Sequence, residues 1–287
     1  MISLWNRLKG IGDASVTNIT YGQTLSKAYG SIDREFPQKD PFIRMDHFVF
    51  VSPSGLDFHP HYGFESINYN YQGATQHSDN IGNDEYLGPG FVQNMKCGNG
   101  ILHAEFPVGV ANGITLWLNL SKKNKAEKAK FQFSRAKDVP KIKKNGVTIK
   151  LLVGKAFDLQ SKVTTETPSV ILNIELNPGA SHIQPVQRTW TSFMYVMIGE
   201  VDASGVTVQE YHTADIVNGD QLRFENRSRN RNAVIFFFSA VAIGDPIYVD
   251  RNGSHGYVAR TQREAENVKK EYENGLNGFQ TRRWIKI

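Results

Sequence analysis

Two short segments each place two good metal ligands at positions i and i+2 of a strand-like stretch. The first carries His59 and His61, and the second carries His103 and Glu105. Successive side chains on a β-strand alternate faces, so residues i and i+2 point the same way and lie roughly 7 Å apart. Two such strands facing each other inside a small barrel would surround one point with three imidazoles and one carboxylate. The pattern predicts a first-row transition-metal site with positions left for water or substrate.

The rest of the chain has the pattern of an all-β protein. Aromatic and β-branched residues recur in short runs separated by Gly, Pro, Asn and Asp, which is typical of strands joined by turns. At 287 residues, the chain is long enough for two domains rather than one. A helix is predicted near the end, where Thr261 and Glu264 form a capping box and Gly275 ends the helix.

Five motifs, in order along nearly the whole chain, resemble those of the pirin family of the cupin superfamily. They are the runs 40–46, 59–65, 98–105, 116–120 and 244–247. The resemblance implies two tandem cupin barrels, of the double-stranded β-helix or jelly-roll type, with a short C-terminal helix. We expect an N-terminal metal-binding cupin domain with N-terminal strands over residues 1–135. A C-terminal cupin domain without metal, together with the helix, is expected over residues 136–287.

The same resemblance implies one mononuclear metal, usually iron, in the first domain. Carried over residue by residue, its ligands are His59, His61, His103 and Glu105. The expected cofactor is therefore Fe(II), one per chain, although other divalent transition metals also suit this ligand set.

A second carboxylate, Glu65, competes with Glu105 for the role of metal ligand. Glu65 has the parity of His59 and His61, so on a regular strand it would share their face. A straight strand of roughly 3.3 Å per residue would carry it about 13 Å beyond His61, too far to share a metal unless Gly63 bends the strand. Because the pirin pattern takes its carboxylate from the later segment, we predict Glu105 as the ligand and place Glu65 behind the ligands.

Further residues near the ligand segments are candidates for supporting the ligands or for lining a pocket. The main candidates are Glu65, His77, Gln93, Phe58 and Met95. For His77 and Gln93, a purely structural role fits the sequence equally well. Apolar neighbours that suit either a pocket wall or plain core are Phe64, Tyr69, Phe91 and Phe106.

The second half repeats the strand pattern without the ligand pattern. Strands are predicted at residues 169–176, 193–201, 221–225 and 233–241, with a turn at residues 218–220. The strand at 233–241 is apolar enough to be buried on both faces. His182 and Gln184 share a face, but glutamine is a poor ligand and no second ligand pair follows. We therefore predict no metal in this half.

Positive charge is concentrated in one segment. Residues 122–144 contain ten Lys and Arg against two acidic residues, a local excess of +8 in a chain whose net charge is +5. The segment lies between two predicted strands, so we interpret it as the connection between the domains. It is either a solvated, lysine-rich linker or a docking surface for an acidic protein partner or for nucleic acid. The sequence contains no helix-turn-helix, finger or other nucleic-acid motif.

The expected location is the cytoplasm, or the nucleus if the source is eukaryotic. No run approaches the eighteen or so apolar residues that a membrane span needs. Residues 1–8 lack the apolar core of a secretion signal. The single Cys97 excludes an internal disulfide, which favours a reducing compartment.

Two functions of different class would use the predicted ligands. The resemblance implies a dioxygenase similar to quercetin 2,3-dioxygenase, with a flavonol-like aromatic and dioxygen as substrates and with Glu105 as a base as well as a ligand. It also implies a non-enzymatic, iron-dependent redox regulator that binds a transcription factor or a metabolic enzyme. Turnover requires an accessible apolar pocket, whereas a redox switch requires only a sheltered metal.

One segment departs from the family pattern. Residues 248–255 are more polar than the corresponding pirin segment. We expect this difference to affect the surface between the domains and any partner that docks there, rather than the metal site. His255 is expected to be a surface residue.

Overall fold

The computed structural model describes residues 18–24, 38–217 and 219–280. Residues 1–8, which were predicted not to form a secretion signal, lie outside these residues, as do part of the predicted N-terminal strands and Asn218 of the predicted turn. The described chain divides into two compact units. The larger unit comprises residues 38–139, Lys162–Thr167 and 242–280, and the smaller comprises residues 18–24, Pro140–Ser161 and Pro168–Val241. The domain boundary at 135/136 stays a prediction, although each unit takes segments from both sides of it.

Strands make up most of the described chain. Up to residue 140 they are β1 (Asn18–Thr24), β2 (Phe42–Val51), β3 (Leu56–Tyr62), β4 (Phe64–Asp79), β5 (Asp84–Leu87), β6 (Val92–Lys96), β7 (Ile101–Asn119) and β8 (Lys130–Ser134). They continue as β9 (Lys141–Lys144), β10 (Val147–Val153), β11 (Lys155–Ala156), β12 (Leu159–Gln160), β13 (Ser169–Leu176), β14 (Ser181–Pro185), β15 (Trp190–Ile198), β16 (Val201–Ala203), β17 (Val206–Val208), β18 (His212–Val217), β19 (Gln221–Glu225) and β20 (Ala233–Val241). The last are β21 (Tyr248–Asn252) and β22 (His255–Ala259). The helices are α1 (Lys122–Lys125), α2 (Gln262–Glu273) and a 3-10 turn at Asn277–Phe279.

Strand β7 organises the larger unit. The sheet of this unit has the order β21-β22-β3-β7-β4-β6-β8, with β2 also paired to β7 and β5 paired to β4. Because β7 is 19 residues long, β4 pairs with it along nearly its whole length, while β2 and β3 pair with different parts of it. Side chains from three strands therefore converge beside it. Phe64, Trp117 and Val258 belong to one apolar core of this unit.

The smaller unit is built from a seven-stranded sheet and a four-stranded sheet. The seven-stranded sheet has the order β1-β18-β15-β20-β13-β10-β9, and the four-stranded sheet has the order β14-β19-β16-β17. Leu172, Met194 and Phe237 are among the buried residues of its apolar core. The strands predicted at 169–176, 221–225 and 233–241 are present with those bounds, whereas the strand predicted at 193–201 runs from Trp190 to Ile198.

The predicted C-terminal helix is present as α2. Thr261 Oγ1 accepts a hydrogen bond from the Glu264 N–H, and the Glu264 carboxylate accepts one from the Arg260 N–H. Val268 of this helix is buried in an apolar cluster with Tyr62 of β3. The helix therefore packs in the larger unit, on the outer side of the strand that carries two predicted ligands. No helix of the described residues is long and apolar enough to cross a membrane.

The basic segment 122–144 is not simply a solvated linker. Its strand β8 pairs with β6 of the larger unit, and its strand β9 pairs with β10 of the smaller unit. Lys125 is buried, and its Nζ donates hydrogen bonds to the carbonyl oxygens of Gly63 and Val258 and to Asn119 Oδ1. The interpretation as a solvated linker is therefore wrong for Lys125, which ties α1 to β7 and to the ends of β3 and β22.

Candidate metal centre

Three of the predicted ligands lie together in the larger unit. His59 and His61 lie on β3, and His103 lies on β7 directly opposite His59. The ring centroids are 4.3 Å apart for His59 and His103, 4.7 Å for His59 and His61, and 4.8 Å for His61 and His103. One ring nitrogen from each lies within 4.8 Å of the other two. All three residues are buried, so this cluster has the geometry of a three-imidazole metal site.

The protonation of these histidines also suits a metal. His59 Nδ1 lies 2.7 Å from the carbonyl oxygen of Asp57, which can only accept, so Nδ1 donates and Nε2 keeps its lone pair. Burial lowers the pKa of His59 and lowers the pKa values of His61 and His103 well below the ordinary range. All three rings are therefore neutral, the form that binds metals.

His103 gives the clearest sign that the cluster fits a metal ion. Both of its ring nitrogens are buried, and neither has a hydrogen-bond partner among the described residues. A buried polar atom without a partner costs free energy, and buried unpaired groups are rare in folded proteins. A metal bound by one of these nitrogens would remove part of that cost.

Glu105 lies beside the histidine cluster and is held by amide donors. Its Oε1 accepts hydrogen bonds from Asn68 Nδ2 at 2.8 Å and Gln93 Nε2 at 2.6 Å, and lies 3.8 Å from His77 Nδ1. Burial alone would raise the pKa of Glu105, but the interactions with His77 and Gln93 outweigh burial and lower it. Glu105 is therefore an ionised carboxylate. Ligand atoms of Glu105, His77 and His103 lie within 4.8 Å of one another. His103 therefore belongs to two overlapping clusters of potential ligands.

His77 and Asp79 form a pair next to Glu105. Only His77 was among the predicted site residues. His77 is fully buried, and its Nε2 lies 3.2 Å from Asp79 Oδ2. Asp79 is itself held by the N–H groups of the turn at 81–83. Burial alone would lower the pKa of His77, but its contacts with Asp79 and Glu105 outweigh burial and raise it. The i, i+2 spacing of His77 and Asp79 on one strand face was the signal that could have identified Asp79.

Glu65 does not share the face of the histidines, so that expectation is wrong. Gly63, with φ of +80°, separates β3 from β4, and across it the inward-facing positions change from odd to even numbers. Ser66 consequently faces the histidines, whereas Glu65 faces the other way. The Glu65 carboxylate accepts hydrogen bonds from Asn94 Nδ2 and the Glu166 N–H. Burial raises the pKa of Glu65 to about 7.

A pocket opens directly over the ligand cluster. It has about 900 Å³ of empty volume, part of it open to solvent. The residues that line it with the four predicted ligands include Phe48, Phe50, Leu56 and Trp117, together with the polar Arg44, Asp46, Ser66 and Thr115. Although many polar residues contribute, most of the exposed wall area is apolar, as in small-molecule sites.

The apolar residues predicted to line this pocket lie elsewhere. Phe58 is on the outer face of β3, packed against the cluster that contains Tyr62 and Val268. Met95 is buried in the apolar core with Phe64 and Trp117, and Phe64 stacks on Trp117 at 4.1 Å. None of the other apolar candidates lines the pocket either. The apolar wall residues are instead Leu56 of β3, Trp117 of β7, and Phe48 and Phe50 of β2. Alternate residues of β2 from 44 to 50 face the site because β2 pairs with β7.

Two wall residues form a charged pair that sequence analysis did not identify. The guanidinium of Arg44 lies over the Trp117 ring, 4.9 Å from its centroid. Arg44 Nε is also paired with Oδ2 of Asp46. The alternation along β2 was the only sequence signal for these residues.

The polar segment 248–255 lies beside the candidate metal site, contrary to expectation. It forms β21 and the start of β22, and β22 pairs in parallel with β3, with Gly256 opposite His61. A Cβ atom at Gly256 would lie 2.6 Å from the Trp117 ring and 2.9 Å from His61 Nδ1, so only glycine fits here. Ser254 lines the pocket, and His255 is half-buried with its ring against Tyr257 and Tyr272.

Two models of one protein family match most of this chain. The pirin family model matches residues 22–118, and the model of the pirin C-terminal cupin domain matches residues 171–278. Pirin from Homo sapiens is 34% identical over 254 residues, which cover 86% of each chain. A pirin-like protein from Solanum lycopersicum is 34% identical over 257 residues, covering 87% of this chain and 86% of its own.

A solved structure shares the fold over a similar length. The crystal structure of quercetin 2,3-dioxygenase from Acinetobacter baumannii superposes with a TM-score of 0.76 and 25% sequence identity, covering 84% of this chain and 86% of that one. The fold is therefore that of two cupin domains, and on the family models and the relatives together the chain belongs to the pirin family.

Proposed function

We propose that this chain is an Fe(II)-dependent dioxygenase that acts on a flavonol-like aromatic substrate. His59, His61, His103 and Glu105 would hold the ion. The observation that carries the proposal is the pocket over these residues, because it opens to solvent and its aromatic side chains suit a planar organic molecule. An iron used only as a redox signal would need no such opening, so the pocket favours turnover over pure regulation.

The chain's own residues prepare the site for this chemistry. Bound Fe(II) would supply Lewis acidity and one-electron chemistry for the reaction of an enolisable aromatic with dioxygen. The three neutral imidazoles and the ionised Glu105 provide the donor set. Amide donors from Asn68 and Gln93 fix the orientation of Glu105 through Oε1. Glu105 lines the pocket and is ionised, so it would also accept the acidic proton of the substrate hydroxyl; its lowered pKa makes it a weaker base than an ordinary carboxylate.

The comparisons give independent support for the class of reaction. The structure from Acinetobacter baumannii is named as a quercetin 2,3-dioxygenase and is 25% identical to this chain over the aligned residues. Phe48, Phe50 and Trp117 line the pocket of this chain, and aromatic side chains of this kind stack well on a flavonol ring system.

The test is an oxygen-consumption assay. The protein is purified anaerobically, loaded with Fe(II), analysed for metal and mixed with a panel of flavonols. We expect oxygen uptake only when an enolisable flavonol is present. Glu105→Gln should lower turnover per bound iron, because it removes a base as well as a ligand. The proposal fails if the iron-loaded protein consumes no oxygen with any flavonol of the panel.

A further inference from the structure

Arg44 lines the same pocket but is not one of the predicted metal ligands. Its guanidinium lies over one ring of the pocket wall, Trp117, and its side chain is only 10% exposed. Among the described residues, Arg44 is the only Arg or Lys that lines this pocket. A positive charge has therefore been placed at the wall of an otherwise largely apolar cavity, where its electrostatic effect is stronger than at the surface.

Most donors of this guanidinium are unused. An arginine carries five N–H donors in a planar fork, and Nε lies against Oδ2 of Asp46 as an ion pair but has no hydrogen-bond partner in the described part of the chain. In the described ranges, the two terminal nitrogens, Nη1 and Nη2, have no hydrogen-bond partner. Because the Asp46 carboxylate attracts the guanidinium and the Trp117 ring lies beneath it, the fork of terminal N–H groups is held at the pocket wall. A fork of this shape matches a carboxylate or another anionic oxygen pair.

The other charges of the pocket do not already satisfy Arg44. Glu105 is the second carboxylate that lines the pocket, and Oε1 of that side chain is engaged by Asn68, Gln93 and the nearby His77. Asp46 balances the charge of Arg44 but leaves its terminal donors without acceptors. A ligand that brings an anionic oxygen would supply those acceptors in a desolvated setting, where hydrogen bonds to charged groups are strongest.

We propose that Arg44 makes the pocket selective for planar aromatic anions, whose carboxylate or ionised phenol oxygen binds its terminal N–H groups. The aromatic side chains of Phe48, Phe50 and Trp117 hold the ring system. Arg44 is thus a specificity-determining residue, and Asp46 positions it. The inference rests on the proposed function in one respect only, that this pocket receives the substrate. For a flavonol, this role of Arg44 means that the ionised form binds more tightly than the neutral form.

The test compares a matched pair of probes that differ in charge. 3-Hydroxy-2-naphthoate carries a carboxylate, and its amide has nearly the same shape without the charge. Binding of each to the full-length chain, with its metal content measured, is followed by isothermal titration calorimetry. Arg44→Leu removes the fork, Arg44→Gln removes the charge but keeps a polar side chain, and Arg263→Leu removes one exposed positive charge on α2 as a control for net charge.

We expect Arg44→Leu and Arg44→Gln to weaken binding of the naphthoate about tenfold or more while changing amide binding less than threefold. Arg263→Leu should change neither. Two substitutions at Arg44 guard against the failure of one to fold. Equal losses for both probes, unchanged naphthoate binding in either folded Arg44 variant, or no naphthoate binding by the parent chain would overturn the inference. Binding requires no turnover, so absence of oxygen consumption would contradict the proposed function without affecting this result.

Discussion

Gln93 Nε2 donates a 2.6 Å hydrogen bond to Oε1 of Glu105, across the sheet from β6 to β7. Asn68 donates to the same oxygen, so two amides fix the carboxylate from one side. The arrangement directs one carboxylate oxygen towards the protein and commits the side chain to one orientation. Such supporting contacts commonly tune the affinity of a metal ligand.

Replacing Gln93 by Leu should weaken metal binding. The side chain keeps a similar size but loses its donor, so Glu105 is less firmly positioned, and we expect affinity to fall about 10- to 100-fold. Competition with a chelator of known affinity measures the change. Gln132→Leu is the matched control, since Gln132 donates to the Thr164 carbonyl rather than to a ligand. Equal affinity in Gln93→Leu and the parent chain would show that Glu105 is positioned without Gln93.

Removing one imidazole should empty the site. We expect about one transition metal per parent chain, and little or none in His59→Ala or His103→Ala, because the remaining ligands compete poorly with water. Elemental analysis of the purified proteins gives the stoichiometry. His182→Ala, in the smaller unit, should retain the metal. Stoichiometric metal in the double variant of His59 and His61 would refute the ligand assignment.

The two carboxylates should behave differently. Glu105→Gln should lose most of the metal, whereas Glu65→Gln should retain it, because Glu65 faces Asn94 and Glu166 on the other side of the sheet. The same elemental analysis decides between them. Comparable metal loss in both variants would contradict the assignment of Glu105, rather than Glu65, as the carboxylate ligand.

Glu65 should also make stability depend on pH. Its pKa is raised by burial from the ordinary 4.5 to about 7 in the folded protein. Between these values the unfolded state has released the proton while the folded state still holds it, so the free energy of unfolding falls as pH rises from about 4.5 to about 7. Glu65→Gln removes this titration. Its stability relative to the parent should therefore rise over that range, by up to roughly 3 kcal/mol.

Urea unfolding of both proteins at pH 4.5, 6 and 8 measures this difference. Glu175→Gln serves as a control, since Glu175 is a partly exposed carboxylate paired with Lys150. A stability difference between Glu65→Gln and the parent that stays constant with pH would contradict the buried, proton-binding state of Glu65.

The sequence by itself determined the local features of this protein. The period of two along a strand places His59 with His61, and His103 with Glu105, on common faces, and the structure has all four residues lining one pocket. Strands β13, β19 and β20 follow from their own alternation and apolar runs, and α2 follows from the Thr261 cap. These features depend on residues close in sequence, so pattern and family motif suffice to predict them.

Tertiary structure alone decided which residues surround the ligands. The change of parity at Gly63 turned Glu65 away from the histidines, because one residue in a left-handed conformation exchanges the two faces of the strand that follows. Arg44 reached the pocket through the pairing of β2 with β7, and Gly256 reached His61 through the pairing of β22 with β3. Such contacts join residues far apart in the chain. Their register is fixed by packing and hydrogen bonding across the sheet, for which the local sequence carries no signal.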